Sequence, residues 1–263
     1  MRLVDSHCHL AHPRLRHKVQ EVLSRATAGG VAACICASGD LAEATAAMEI
    51  ARQNEGVYFT AGIHPHESQE APADFIRQLE SMLAAPKCVA LGEIGLDYHY
   101  DFSPRDAQRR IFAQQLELAA SQPGGHRPIV IHTREAFDDT LAIIRDAPVD
   151  TTRLAFHSFT EDIACARRII SMGCMIGLSG IATFKKAQHL RDIAKCMPAN
   201  QLLIETDAPY LSPEPVRSMK DNEPANVAHV AACLADARGA AVEDLAELTT
   251  RNAQRFFGLL DQS

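Results

Sequence analysis

The sequence contains no stretch of about 18 uncharged apolar residues, so hydropathy gives no membrane-spanning helix. Its start, MRLVDSHCHL, lacks the basic, apolar and small-residue sections of a secretory leader. No Gly-x-Gly-x-x-Gly opens a helical segment, which leaves dinucleotide binding without support. Internal linkers and low-complexity tracts are also missing. The eight cysteines (8, 34, 36, 88, 165, 174, 196 and 233) are scattered, several of them inside apolar runs such as VAACICAS, where cysteine behaves as a small hydrophobe. That spacing excludes a disulfide framework and a zinc knuckle and predicts reduced thiols. Positive charge is in deficit: the formal net charge is −7, which argues against a broad electrostatic grip on duplex nucleic acid but leaves local recognition of a small anionic end open. These absences predict a soluble, cytoplasmic protein with no membrane association and no signal for an obligate protein partner.

What is present is a chain of 263 residues, 47% hydrophobic and 22% charged, enough to bury one large core; a single domain over 1–263 is expected. Eight β-rich runs recur: 3–9, 31–38, 57–64, 88–95, 128–132, 153–157, 174–179 and 202–206. Between them lie segments with helical period. Asp40 and Glu43 form a capping box before Ala44, Ala47, Met48 and Ala51, with Gly56 as the stop. Leu15, Val19, Val22 and Ala26 make a stripe ending at Gly29 and Gly30, and Ser103 and Pro104 open a helix carrying Ala107, Ile111 and Leu118. The tail from about 240 reads as a closing pair of amphipathic helices. Near-continuous apolar strands alternating with helices predict an all-parallel sheet covered on both faces, in a closed barrel or a doubly wound arrangement.

Unusual polar residues fall at the ends of these runs: His7 and His9 on the first, His64 on the third, Glu93 on the fourth, then His132, His157 and Asp207. In a β/α barrel the C-terminal strand ends all point to one face, the face that carries the active site. Alternation sends His7 and His9 to one side and Cys8 to the other, where it packs. Asp5 shares the histidines' side one layer deeper, either orienting a histidine or serving as a barrel salt-bridge partner. A lone His-x-His is more often incidental than metal-binding. A carboxylate closing an apolar strand, however, is costly to bury without a partner or a metal, and Glu93 and Asp207 both do so. Imidazoles with carboxylates suit zinc, manganese, iron or nickel; six ligands (His7, His9, Glu93, His132, His157, Asp207) exceed the three of one catalytic zinc, so two ions are expected.

With these residues in view, the sequence resembles the TatD family of metal-dependent hydrolases along nearly its whole length. The matching blocks are DSHCHL (5–10), GIHPH (62–66), GEIGLDY (92–98), SPRDAQRRIFAQQLELA (103–119), IHTREAFDDTL (131–141), FHSF (156–159), GLSGIATFKKA (177–187), ETDAPYLSPEP (205–215) and TTRNAQRFFG (249–258). The resemblance implies a single (β/α)8 TIM-type barrel with two divalent ions (Zn, Mn or Mg). It implies that His7, His9, Glu93 and Asp207 hold one ion and Glu93, His132 and His157 the other, with Glu93 as the bridge. It further implies a deoxyribonuclease acting from strand ends, with His64 near the scissile group. Ser218 in VRSMKDNEP, Ile94 in GEIGLDY and FHSFTE depart from the common family pattern; they bear on substrate contacts and remove no ligand.

The expected mechanism is hydrolysis of DNA phosphodiesters by a water activated between two ions, with Asp207 as general base and Glu93 and His64 completing the catalytic set. Arg134, Lys185, Lys186, Arg217 and Lys220 fall in strand-end loops; His64, Arg134, Lys185 and Arg217 are the expected contacts to the ends of single-stranded nucleic acid. The alternatives are an ester or amide hydrolase such as an aminoacyl-tRNA deacylase, and a non-enzymatic metal-binding scaffold, which the cost of so many buried polar groups disfavours.

Overall fold

The computed structural model describes residues 1–122 and 127–259. Eight strands form one sheet in the order β1 to β8, the chain order of a (β/α)8 barrel: β1 (Leu3–Cys8), β2 (Val31–Cys36), β3 (Val57–Ala61), β4 (Cys88–Asp97), β5 (Ile129–Arg134), β6 (Leu154–Phe156), β7 (Met175–Leu178) and β8 (Leu202–Ile204). Every predicted run holds one strand. The helices are α1 (Pro13–Arg16), α2 (Val19–Ala28), α3 (Leu41–Gln53), α4 (Phe75–Leu83), α5 (Arg105–Ser121), α6 (Phe137–Asp146), α7 (Ile163–Ser171), α8 (Gln188–Cys196), α9 (Val227–Arg238) and α10 (Val242–Phe257). Among the described residues no helix is long and apolar enough to cross a membrane. The chain divides into two compact units, Met1–Cys36 with His157–Ser263, and Ala37–Phe156.

In the first unit β1 pairs in parallel with β2, and β7 with β8 in the register Ile176↔Leu202 to Leu178↔Ile204. The residues that follow β8 return to β1: Cys8 bridges Ala208, His9 N donates to Ala208 O at 2.6 Å, and Asp207 N donates to His7 O at 2.9 Å. Both strands are buried along their length, as a parallel sheet under helices requires. The stripe from Leu15 to Ala26 is carried by two helices, α1 and α2, because Lys18 leaves the helical region between them. The predicted closing pair is shifted: Gly239, in the left-handed region at φ 64°, ends α9, and α10 runs unbroken from Val242 to Phe257. Asn252 of α10 donates to Ala199 O (2.7 Å) and Leu202 O (2.9 Å), satisfying carbonyls at the start of β8.

In the second unit β3, β4, β5 and β6 pair in parallel in that order. The Asp40 side chain caps α3 by accepting from Glu43 N at 2.7 Å, while Glu43 reaches back to Gly39 N at 2.7 Å. Gly56 is not the stop; α3 ends at Gln53, where Asn54 turns extended and its amide donates to Ile50 O. Ala44, Ala47 and Ala51 are buried and Met48 is half-buried. Two buried glutamines of α5 stitch strand ends: Gln115 brackets Ile63 (2.8 and 3.0 Å), and Gln108 brackets Asp97 (2.9 and 3.0 Å).

Candidate metal centre

In the first unit the alternation of β1 places His7 and His9 together, their Nε2 atoms 3.3 Å apart. The Asp207 carboxylate completes the group at 3.4 Å from His9 Nε2 and 3.9 Å from His7 Nε2. The donor atoms of these three residues all lie within 4.8 Å of one another. Asp207 sits in the left-handed region at φ 55°, where aspartate is more tolerant than most residues; its N–H bond to His7 O holds it there. Burial alone would raise this carboxyl's pKa, but the hydrogen bond with His9 and the neighbouring His157 and His7 keep it below its usual value, so it is an anion at neutral pH. Two imidazole nitrogens and one carboxylate oxygen converging over such distances fit a divalent ion of the zinc or manganese type.

His157 lies flat against His7, ring centroids 4.0 Å apart and 14° from parallel. Its Nδ1 faces Glu205 Oε1 at 3.6 Å. Glu205 is buried and also accepts from Ser6 Oγ (3.2 Å) and from Ser158 N. Gly177 makes room for it, because a Cβ there would stand 2.3 Å from Glu205 Oε2. Sequence reasoning assigned Glu205 no role. Asp5 does not orient a ring or pair with a cation: it accepts from Thr206 N (2.9 Å), Thr206 Oγ1 (2.6 Å) and His7 N (3.3 Å), tying β1 to the end of β8. Burial pushes its carboxyl up to about 8 against those hydrogen bonds. Cys8 is buried with its thiol toward Ile35 O, as packing predicts.

The second unit carries a second convergence. Glu93 Oε1 lies 2.9 Å from His132 Nδ1 and 3.3 Å from His64 Nε2, and donor atoms of the three again fall within 4.8 Å. The sequence places His64 in the catalytic set and at the substrate; the structure seats it beside Glu93 and His132. Burial outweighs Glu93 and drives His64 down to about 4, so the ring is neutral at pH 7, the form that ligates a metal. The other nitrogen of His132 faces Asp97 Oδ2 at 3.2 Å, and His66 Nε2 approaches the same oxygen at 2.9 Å. Burial would raise the Asp97 carboxyl, but bonds from His132 and His66 hold it far below the ordinary range. Asp97 thus holds the ring of a candidate ligand histidine from its far side. The period-2 alternation from Glu93 through Gly95 to Asp97 was the signal that would have found it. Gly95, at φ 144°, lets β5 come close; a Cβ there would be 1.9 Å from His132 O.

Arg134, Lys185, Lys186, Arg217 and Lys220 are all exposed. The Arg134 guanidinium lies over the Tyr100 ring at 4.8 Å, and that of Arg217 over Phe184 at 3.8 Å with Glu214 also 3.8 Å away. The altered VRSMKDNEP loop is pinned through Asp221 to Arg14 (2.7 Å) and Lys18 (3.1 Å).

A family model described as TatD related DNase matches residues 4–258. The uncharacterized metal-dependent hydrolase YcfH of Escherichia coli is 39% identical over 98% of this chain and 96% of its own length. The 3'-5' ssDNA/RNA exonuclease TatD of Klebsiella pneumoniae is 32% identical over 91% of each chain. The crystal structure of YjjV, a TatD homologue from Escherichia coli, superposes with a TM-score of 0.90 over 98% of this chain and 99% of its own, at 27% identity. With an imidazole–carboxylate group in each unit and a match along almost its entire length, the chain belongs to the TatD related DNase family of metal-dependent hydrolases.

Proposed function

We propose that the protein releases nucleotides from the ends of single-stranded DNA, using two divalent ions. The first ion is assigned to His7, His9 and Asp207, and the second to His64, Glu93 and His132. The observation that carries this reading is that each unit holds a donor group offering the N,N,O set of a hydrolytic metal, its residues in the C-terminal half of their strands or just beyond them. When bound, the ions supply Lewis-acid polarisation and bring the pKa of a water toward neutrality. The chain's own part is acid–base and positional. Asp207, ionised, accepts the water's proton. Asp97 fixes the His132 ring, and Glu205 lies against His157. His64, kept neutral by burial, offers a ring nitrogen beside Glu93 and His132.

A strand end fits better than a duplex interior because a chain of net charge −7 offers only scattered cations. The direction proposed is from the 3′ end, as named for the Klebsiella relative. The test incubates manganese-loaded protein with linear single-stranded DNA blocked at either end, circular single-stranded DNA, aminoacyl-tRNA and a simple ester. Loss of mononucleotides from free 3′ ends is expected, with a salt slope matching about two or three phosphates, each worth about 0.7 in the logarithmic plot. Equal cutting of circles overturns the end-directed reading. Intact DNA with a cleaved ester overturns the nuclease reading and leaves a hydrolase of another substrate.

A further inference from the structure

Only five large hydrophobic side chains among the described residues are exposed, and two of them, Tyr100 (47%) and Phe102 (68%), stand side by side. Their rings stack with centroids 5.3 Å apart and planes 24° from parallel. Large aromatic rings left this exposed beside one another commonly mark a binding surface, so their position is informative. Asp97 accepts from His99 N (3.0 Å) and Tyr100 N (2.9 Å), which starts the turn that presents the rings. Ser103 ends it, donating to His66 O at 2.7 Å and accepting from Gln69 N at 3.0 Å. The loop is therefore anchored on both sides and does not need a ligand to take shape.

The pair adjoins the second metal group through a continuous series of contacts. His66 packs edge-on against Phe102 (4.7 Å) and Tyr100 (5.6 Å), and the same ring approaches Asp97, which faces His132. Arg134, two residues beyond His132 on β5, lays its guanidinium 4.8 Å from the Tyr100 ring. His99 lies 4.8 Å from Tyr100 and bonds to Glu135, and Arg105 pairs with Asp101, so Arg134 is the cation that borders the rings.

Resting on the nuclease reading above, we infer that Tyr100 and Phe102 form a stacking platform for an unpaired nucleobase near the scissile end, with Arg134 beside it for the adjoining phosphate. Every base has a π face, so such a platform tolerates any sequence and excludes paired bases. It supplies substrate hold without the cations the chain lacks, and it selects single strands over duplex.

The experiment compares the wild-type protein, Tyr100→Leu/Phe102→Leu, which keeps apolar volume without rings, and Tyr100→Phe/Phe102→Tyr, which keeps both rings. Binding is read with a single-stranded oligonucleotide bearing 2-aminopurine at its last positions and phosphorothioate links that slow cleavage. Turnover is read on ordinary and abasic-ended oligonucleotides. Quenching of 2-aminopurine by the wild type and the ring-keeping variant, a loss of affinity of about 5- to 100-fold in the leucine variant, and the disappearance of the preference for base-bearing over abasic ends only in the leucine variant would support the platform. An unchanged preference in the leucine variant overturns it, as does an equal fall on both substrates. If DNA is bound and quenched in this way but never hydrolysed, the nuclease reading fails while the platform stands. If wild-type protein neither binds nor quenches the oligonucleotide, the platform fails as well.

Discussion

Asp207 and Asp97 are both carboxylates set among histidines, and their partners separate what each does. The Asp207 carboxylate faces the His9 and His7 rings and keeps 14% of its surface exposed, whereas that of Asp97, 1% exposed, is closed in by His132, His66 and the turn it caps. Asp207→Asn is expected to lower kcat by about 100-fold or more, with the second ion still bound. Asp97→Asn is expected to weaken that second ion, by about 10- to 100-fold in affinity, with a fall in turnover that excess metal partly restores. Isothermal metal titration beside steady-state rates tells the two apart; full turnover in Asp207→Asn removes it from the base role. Asp97 was legible in the sequence through strand alternation from Glu93. Glu205 was not, because Asp207 leaves the strand in a left-handed conformation and breaks the alternation by which position alone could have assigned it.

At the scale of elements, the eight strands and the bulk of the helices were legible because apolar runs and helical stripes survive in any context. Their ends were not. The stop of α3 depends on Asn54 bonding back to Ile50, the split between α1 and α2 on one non-helical lysine, and the start of α10 on a glycine three positions before Val242. Strand register has its own determinants. Gly95 pairs with His132 in the β4–β5 register, and the near-contact at that pair sets where His132 emerges beside Glu93. Gly95→Ala is expected to cost about 2 kcal/mol or more in urea unfolding and to reduce metal binding with it. Gly239→Ala, where φ is 64° and a Cβ meets nothing within 4 Å, should cost only about 1 kcal/mol and leave the metal sites intact. Equal losses for the two would mean that backbone conformation alone, rather than the approach of β5, makes Gly95 necessary.

For the molecule as a whole, two donor groups in two units predict two divalent ions per chain. Elemental analysis after reconstitution with manganese or zinc should approach that ratio, and Glu93→Ala should reduce it while abolishing turnover. A ceiling of one ion would show that one of the two groups holds none. The arrangement of the units has a further consequence for how such a chain is made. Ala37–Phe156 is continuous in sequence, so it has all its own parts as soon as it has been translated. The other unit joins Met1–Cys36 to His157–Ser263, and at about 5 to 20 residues per second β1 waits on the order of ten seconds or more for β8 to leave the ribosome. Through that interval His7 and His9 exist without Asp207. The first donor group is thus beyond the reach of any chain that stops short of Asp207, and an ion bound there marks a polypeptide whose synthesis has passed β8.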